Sequence, residues 1–285
     1  MEVKGQLNNV SAPAEHLLEE RIKIKPANKA AIVIGLTLTV LSLLTVYAFY
    51  SFDYKEFDMT EALIATFANL KVIFLEPHLE HFSFGHALYQ VLVTLGLAFL
   101  TTLFGAVVAV FFGLLAAENL SSKRVSMIIK GMVAFIRAVP TVLWVLIFAV
   151  AAGLGSTAAV IGMTFHSIGY LIKAYSESFE ELDRGVIEAL QASGANWWQI
   201  VFQAVIPSSI TYMISWTFLR FEINFAVAVA MGAAAGAGGI GYDMFMASSF
   251  YLDMREIGAI TYFILAVAII LELFAIRIKN KLKAA

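Results

Sequence analysis

Residues 173–207 read KAYSESFEELDRGVIEALQASGANWWQIVFQAVIP and stand between two long apolar stretches. Their first half is acidic, with Glu177, Glu180, Glu181, Asp183 and Glu188. The remainder predicts two short helices, roughly 184–192 and 196–205, separated by Ser193-Gly194. Gly194 suits a positive φ that ends one helix and turns the chain sharply. In the second helix Trp197, Ile200, Val201 and Ala204 fall on one face, Gln199 and Gln203 on another. The segment is longer than a connection between neighbouring membrane helices needs. Such a helix–turn–helix lies flat under a membrane and presents a knob to a partner.

Outward from it, the composition is that of a membrane protein. Of 285 residues, 60% are hydrophobic and 14% charged, with no cysteine and a net charge of −2. Soluble domains carry about a quarter charged residues, and so apolar a chain lacks the polar surface to cover one globular core. The missing cysteines exclude disulfides, thiolate metal sites and cysteine nucleophiles. The charge gives no case for nucleic acid. A span takes roughly 20 residues. The expected spans are about 30–52, 84–117, 131–152, 156–173, 207–232 and 254–276, with 174–206 as the long loop described above. Two of them divide at the turn Gly153-Leu154-Gly155-Ser156, and Pro207 suits the first turn of the fifth. The fold class expected is all-α and polytopic, with about six transmembrane helices.

Orientation follows from the charges. Arg21, Lys23, Lys25 and Lys29 precede the first span, Lys123, Arg124 and Lys130 follow the second, and Arg277, Lys279, Lys281 and Lys283 follow the last. Residues 51–81 carry Asp53, Glu56, Asp58, Glu61, Glu76 and Glu80 against only Lys55 and Lys71. The positive-inside rule therefore puts both termini, a 1–29 lead-in segment and the 174–206 loop in the cytoplasm. No short apolar stretch followed by a cleavage site precedes the first span, so that span is expected to stay as an anchor. The outer segment predicts an interfacial helix, because Ala62, Leu63, Phe67 and Leu70 recur at helical spacing.

The loop resembles the EAA loop of ABC importer permeases. Glu188-Ala189-Leu190, three residues, Gly194, nine residues, Ala204, one residue, Ile206-Pro207 reproduce its spacing, with Leu190 and Ala204 as mild departures. The resemblance implies that Glu188, Ala189, Gly194 and Pro207 belong to a coupling element that docks into a groove on a cytoplasmic ATPase. A second resemblance is to the phosphonate-type permeases. It rests on Arg137-Ala138-Val139-Pro140 with Leu143-Trp144, on Leu219-Arg220-Phe221-Glu222-Ile223-Asn224 and on Gly236-Ala237-Gly238-Gly239-Ile240-Gly241, and covers roughly residues 85–280. It implies import of a phosphonate or related phosphorus oxyanion through the bacterial inner membrane by two permeases, two ATPases and an external substrate-binding protein. ATP and Mg would sit on the ATPase, with no cofactor on this chain; no Gly-x-x-x-x-Gly-Lys-Ser/Thr occurs in it.

Ionisable residues inside a span are costly and each is a candidate site. Arg220 and Glu222 fall roughly 20 Å along the fifth span from Pro207 and point to different faces. Arg220 and Asn224 share a face. These three residues are candidates for the translocation pathway, Arg220 as donor to an anion. Arg137 and Glu272 are expected at similar depth and form a candidate interhelical ion pair. Gly236-x-Gly238-x-x-Gly241 matches a dinucleotide fingerprint, but follows an apolar helix rather than a strand. Gly236, Gly238, Gly239 and Gly241 are instead read as a helix break or gate. His78, His81 and His86, with Glu76 and Glu80, lack metal-site spacing, and no metal is expected. Trp197 and Trp198 read as interfacial anchors. The nearest rival is an ABC permease for another small solute, and two other classes remain. A secondary transporter requires an inverted repeat that the chain lacks, and an intramembrane enzyme requires clustered Asp or His at one membrane face.

Overall fold

The computed structural model describes residues 29–51 and 58–284, and among them the secondary structure is helical with no strand. The expected lead-in, residues 1–28, lies outside the described residues. The chain divides into two units at Ala62–Leu63. The sequence reading took 30–285 as one domain. The first unit holds α1 (Lys29–Ser51), 23 residues apolar and exposed along their length.

The second unit is built around α3 (Phe84–Ala116) and α6 (Ser156–Glu180). Ser83 starts α3 by accepting a hydrogen bond from the His86 amide. Small residues let the two helices close together: a methyl on Gly105 would lie 2.9 Å from Ser167 Cβ, and one on Gly113 3.1 Å from Tyr175 Cβ. α5 (Thr141–Ala152) reaches α6 the same way, Gly162 lying against the Val145 backbone. α9 (Ile206–Ala235) packs on both α3 and α6.

Three boundaries differ from the sequence reading. The expected span 131–152 is two helices, α4 (Lys123–Ala138) and α5, bent by 88°. Pro140 cannot donate a helical hydrogen bond and pushes Val139 out of helical geometry; Trp144 Nε1 then donates across the bend to Ile136 O at 3.0 Å. The helix of the expected fifth span starts before Pro207. A helix runs from α8 (Trp197–Ile200) through a π turn at Val201–Val205 straight into α9. The π turn lets a surface helix continue as a span, which a search for a break does not find. Finally, among the described residues four helices are long and apolar enough to cross a membrane, or five if the bent pair counts as one. The expected span 156–173 lies within α6 but is more polar than the others. Its helix is largely enclosed by protein, burying Ser167 within the span and Ser176 and Ser178 beyond it, so it needs little lipid-facing apolar surface.

The expected turn at 153–156 is present, with φ of 81° at Gly153 and 139° at Gly155. So is the helix in the outer segment, α2 (Met59–Leu75), whose Phe74 carbonyl accepts from Tyr262 Oη at 2.5 Å. The glycine run closes a tight turn from α9 into α10 (Ile240–Met246), with φ of 62° at Gly236. α10 then folds back on α9: Gly241 faces the Val229 carbonyl so closely that any side chain would collide. A second π turn, Ala247–Tyr251, precedes α11 (Met254–Ala284).

Candidate functional site

α7 (Arg184–Ala192) follows α6 with its N-terminus capped by Asp183, whose carboxylate accepts from the Gly185 amide at 2.7 Å. Gly194, at φ 87°, ends the turn, and Ala195 N donates back to Leu190 O at 3.0 Å. Asn196 and Gln199 then form a reciprocal capping box that starts α8. This order of caps sets two short helices at a fixed angle. Ile187, Ile200, Val201 and Val205 sink into one apolar cluster with Leu114, Ile129, Tyr175 and Phe179. Glu188, Ala189 and Gly194 remain exposed on the hairpin, while Pro207 is exposed beyond the π turn. The first three thus share one surface element, with Pro207 on the helix that this element feeds into.

The hairpin is also tied to the α3–α4 loop, a link with no signature in the sequence. Trp197 Nε1 donates to Leu120 O at 2.9 Å. Lys130 Nζ of α4 bridges Glu118 of that loop at 2.7 Å and Glu180 at the end of α6 at 3.0 Å, and Asn119 Nδ2 of the loop donates to Phe179 O at 2.8 Å. The hydrogen bond and charge of Lys130 hold the Glu118 carboxyl below its ordinary range. Trp197 is therefore more than an interfacial anchor, whereas Trp198, exposed and stacked on Phe202, has no such tie.

A second polar group lies among the membrane helices. Asn224, fully buried, donates to Thr102 Oγ1 of α3 at 2.8 Å and to Ser167 Oγ of α6 at 3.0 Å. Arg220, 3% exposed, donates from Nε to Ser167 Oγ at 3.1 Å and sits 5.1 Å over the Tyr170 ring. Its Nη2 is buried without a hydrogen-bond partner. Arg220 and Asn224 thus come together, as their shared face requires, but Glu222 does not join them. It lines an open cavity of about 680 Å³ between α9 and α11, opposite Glu272.

That position of Glu272 corrects the expected pair with Arg137. α11 packs against α9, which turns Glu272 toward Glu222. Arg137, at the end of α4, lines a separate cavity with Tyr170, Lys173 and Trp216. Equal depth in the membrane does not make two helices neighbours. The partners that sequence reasoning missed, Thr102, Ser167 and Tyr170, are common residues on other helices, and nothing in their local sequence marks them.

At the other end, Glu256 is fully buried; its Oε1 accepts from the amides of Glu80, His81 and Phe82, and its Oε2 lies 2.8 Å from His81 Nδ1. His81, Asp253 and Glu256 present ligand atoms within 4.8 Å of one another. The carboxylate of Glu256 is already taken up in fixing the segment before α3 to the start of α11, and Asp253 caps α11. His86 pairs with Asp243 of α10 at 3.1 Å. The four glycines sit within this region, where Ile240 N donates to Thr94 Oγ1 at 3.0 Å.

Residues 109–282 match the family model described as "Binding-protein-dependent transport system inner membrane component". A phosphate-import permease protein, PhnE, of Mycolicibacterium smegmatis is 30% identical over 66% of this chain. A phosphite transport system permease protein, PtxC, of Stutzerimonas stutzeri is 31% identical over 60% of this chain. The matched part spans 35% of the first relative and 63% of the second. Among solved structures, a chain of the MetNI methionine ABC transporter in an inward-facing conformation shares the fold, with a TM-score of 0.61 at 20% identity, over 69% of this chain and 95% of that one.

Proposed function

The chain belongs to the family of binding-protein-dependent transport system inner membrane components, and from that premise we propose that it is the membrane-spanning permease of an ATP-driven importer of a phosphorus oxyanion. The observation that carries the proposal is the exposed α7–α8 hairpin. It is rigidly capped, buried on one side by Ile187 and Ile200, and leads without a break into α9. A push on such an element moves a membrane helix directly. Cytoplasmic ATPase subunits with ATP and Mg dock on it, a second permease copy or a similar permease completes the pathway, and an external binding protein delivers the ligand. On this reading the hairpin and both termini face the cytoplasm, a topology supported by the Lys and Arg residues before the first span, after the second and after the last. The phosphorus oxyanion follows from the phosphate- and phosphite-permease relatives. Labelled phosphite, methylphosphonate and methionine uptake into cells expressing the complete transporter tests it. Energy-dependent uptake of either phosphorus compound supports the reading, and uptake of methionine alone rejects the substrate.

A further inference from the structure

We infer that the cavity between α4, α6 and α9, lined by Arg137, Tyr170, Lys173 and Trp216, is an oxyanion-binding site of this chain, with Arg220, seated on the Tyr170 ring, adding positive charge behind that wall. The ligand's identity rests on the functional reading above; the site itself rests on geometry. The cavity measures about 150 Å³. One water needs roughly 10–15 Å³ of such space, so the cavity has room for a tetrahedral oxyanion together with several waters.

Charge points the same way. Among the described residues no carboxylate forms an ion pair with Arg137 or Arg220. Arg220 is buried with Nη2 unpartnered, a costly arrangement for a charge that a nearby anion relieves. Trp216 lies one turn before Arg220 on α9, its ring stands 6.2 Å from Tyr170, and the Arg220 guanidinium lies 5.1 Å from the same ring, so the charge sits one side chain away from the cavity. His166, one turn from Tyr170 on α6, is within electrostatic range of both arginines, and its Nδ1 is also buried without a partner. One carboxylate lines the cavity: Glu177, which pairs with Lys173. It competes with an anion for that lysine. Arginine forks suit tetrahedral oxyanions, and the ring between them gives Arg220 a cation–π seat.

The test is binding of radiolabelled inorganic phosphate to the purified full-length chain in lipid nanodiscs, with unlabelled phosphite and methylphosphonate as competitors. Saturable binding is expected. Arg137→Gln and Arg220→Gln should each weaken it tenfold or more, and Glu177→Gln should tighten it severalfold by freeing Lys173. That gain cannot come from misfolding. Saturable binding unchanged in all three variants, or no binding to the wild type, overturns the site. Binding seen in detergent but abolished by phosphatidic acid in nanodiscs overturns it as well, because the occupant is then a lipid headgroup. Phosphite uptake by the complete transporter, measured separately, reports on the functional reading; uptake without chain-borne binding removes the site alone.

Discussion

Replacing Asn224 by leucine removes the amide that joins α3 and α6 to α9 and leaves the Thr102 and Ser167 hydroxyls short of a partner. Each hydroxyl keeps its bond to a backbone carbonyl, so the cost is that of the lost hydrogen bonds, about 0.5–1.5 kcal/mol each, and Asn224→Leu should lower the melting temperature of the purified protein. Asn224→Gln, which can regain one bond, should lower it less. Two glycines give a sharper contrast. At Gly241 a methyl meets the Val229 carbonyl, while at Gly96, inside α3, it meets nothing within 4 Å. Gly241→Ala should destabilise by about 1–3 kcal/mol or more, and Gly96→Ala should stabilise by about 0.5–1 kcal/mol. Thermal unfolding of both variants in one detergent checks the pair. Residue identity alone marked Arg220, Glu222 and Asn224 for attention, because charges and amides are rare in spans. Helical spacing set Arg220 and Asn224 on one face and Glu222 on another; which helix each face meets was not legible.

Between elements, the Trp197 indole is the hydrogen bond that ties the α7–α8 hairpin to the α3–α4 loop. Trp197→Phe keeps the ring and deletes the donor. In the complete transporter we expect ATP hydrolysis to continue while uptake per ATP falls, a split that a merely unfolded hairpin does not give. The same loop carries a pH dependence. Lys130 holds the Glu118 carboxyl below its ordinary value, so the folded state binds that proton less readily than the unfolded chain. The contribution is complete above the ordinary carboxylate range of about 4.3 and is lost as pH falls through the depressed folded value. Glu118 is exposed, so the effect is small and salt-sensitive. Glu118→Gln should be slightly less stable than wild type at pH 7 and indistinguishable well below pH 4. The hairpin was legible beforehand because its caps are local: Asp183, Gly194, Asn196 and Gln199 each act within a few residues. The bend at Val139-Pro140 and the π turn were not. A proline near a helix end reads equally as a first-turn residue, and a π turn leaves apolar periodicity nearly intact.

For the molecule, helix content and fold class were legible because the bilayer demands long apolar helices. Among the described residues four or five helices pass as spans on length and apolarity alone; the further span read within α6 does not, since α6 is shielded by its neighbours and carries serines where lipid-facing helices carry leucine. The chain's lack of cysteine makes orientation directly measurable. A single cysteine at Glu188 should react with a membrane-impermeant maleimide only in inside-out vesicles, and one at Ser249 only in right-side-out vesicles. The central claim is that the exposed hairpin carries force from a separate ATPase into α9. The most direct measurement is purification of the tagged chain from native membranes in mild detergent, with mass spectrometry of what accompanies it, for wild type and for the Glu188→Arg, Gly194→Val double variant. The account predicts a P-loop ATPase with the wild type and its loss from a variant that remains folded. A folded wild-type chain recovered alone in several mild detergents, or an ATPase retained by the variant, contradicts it.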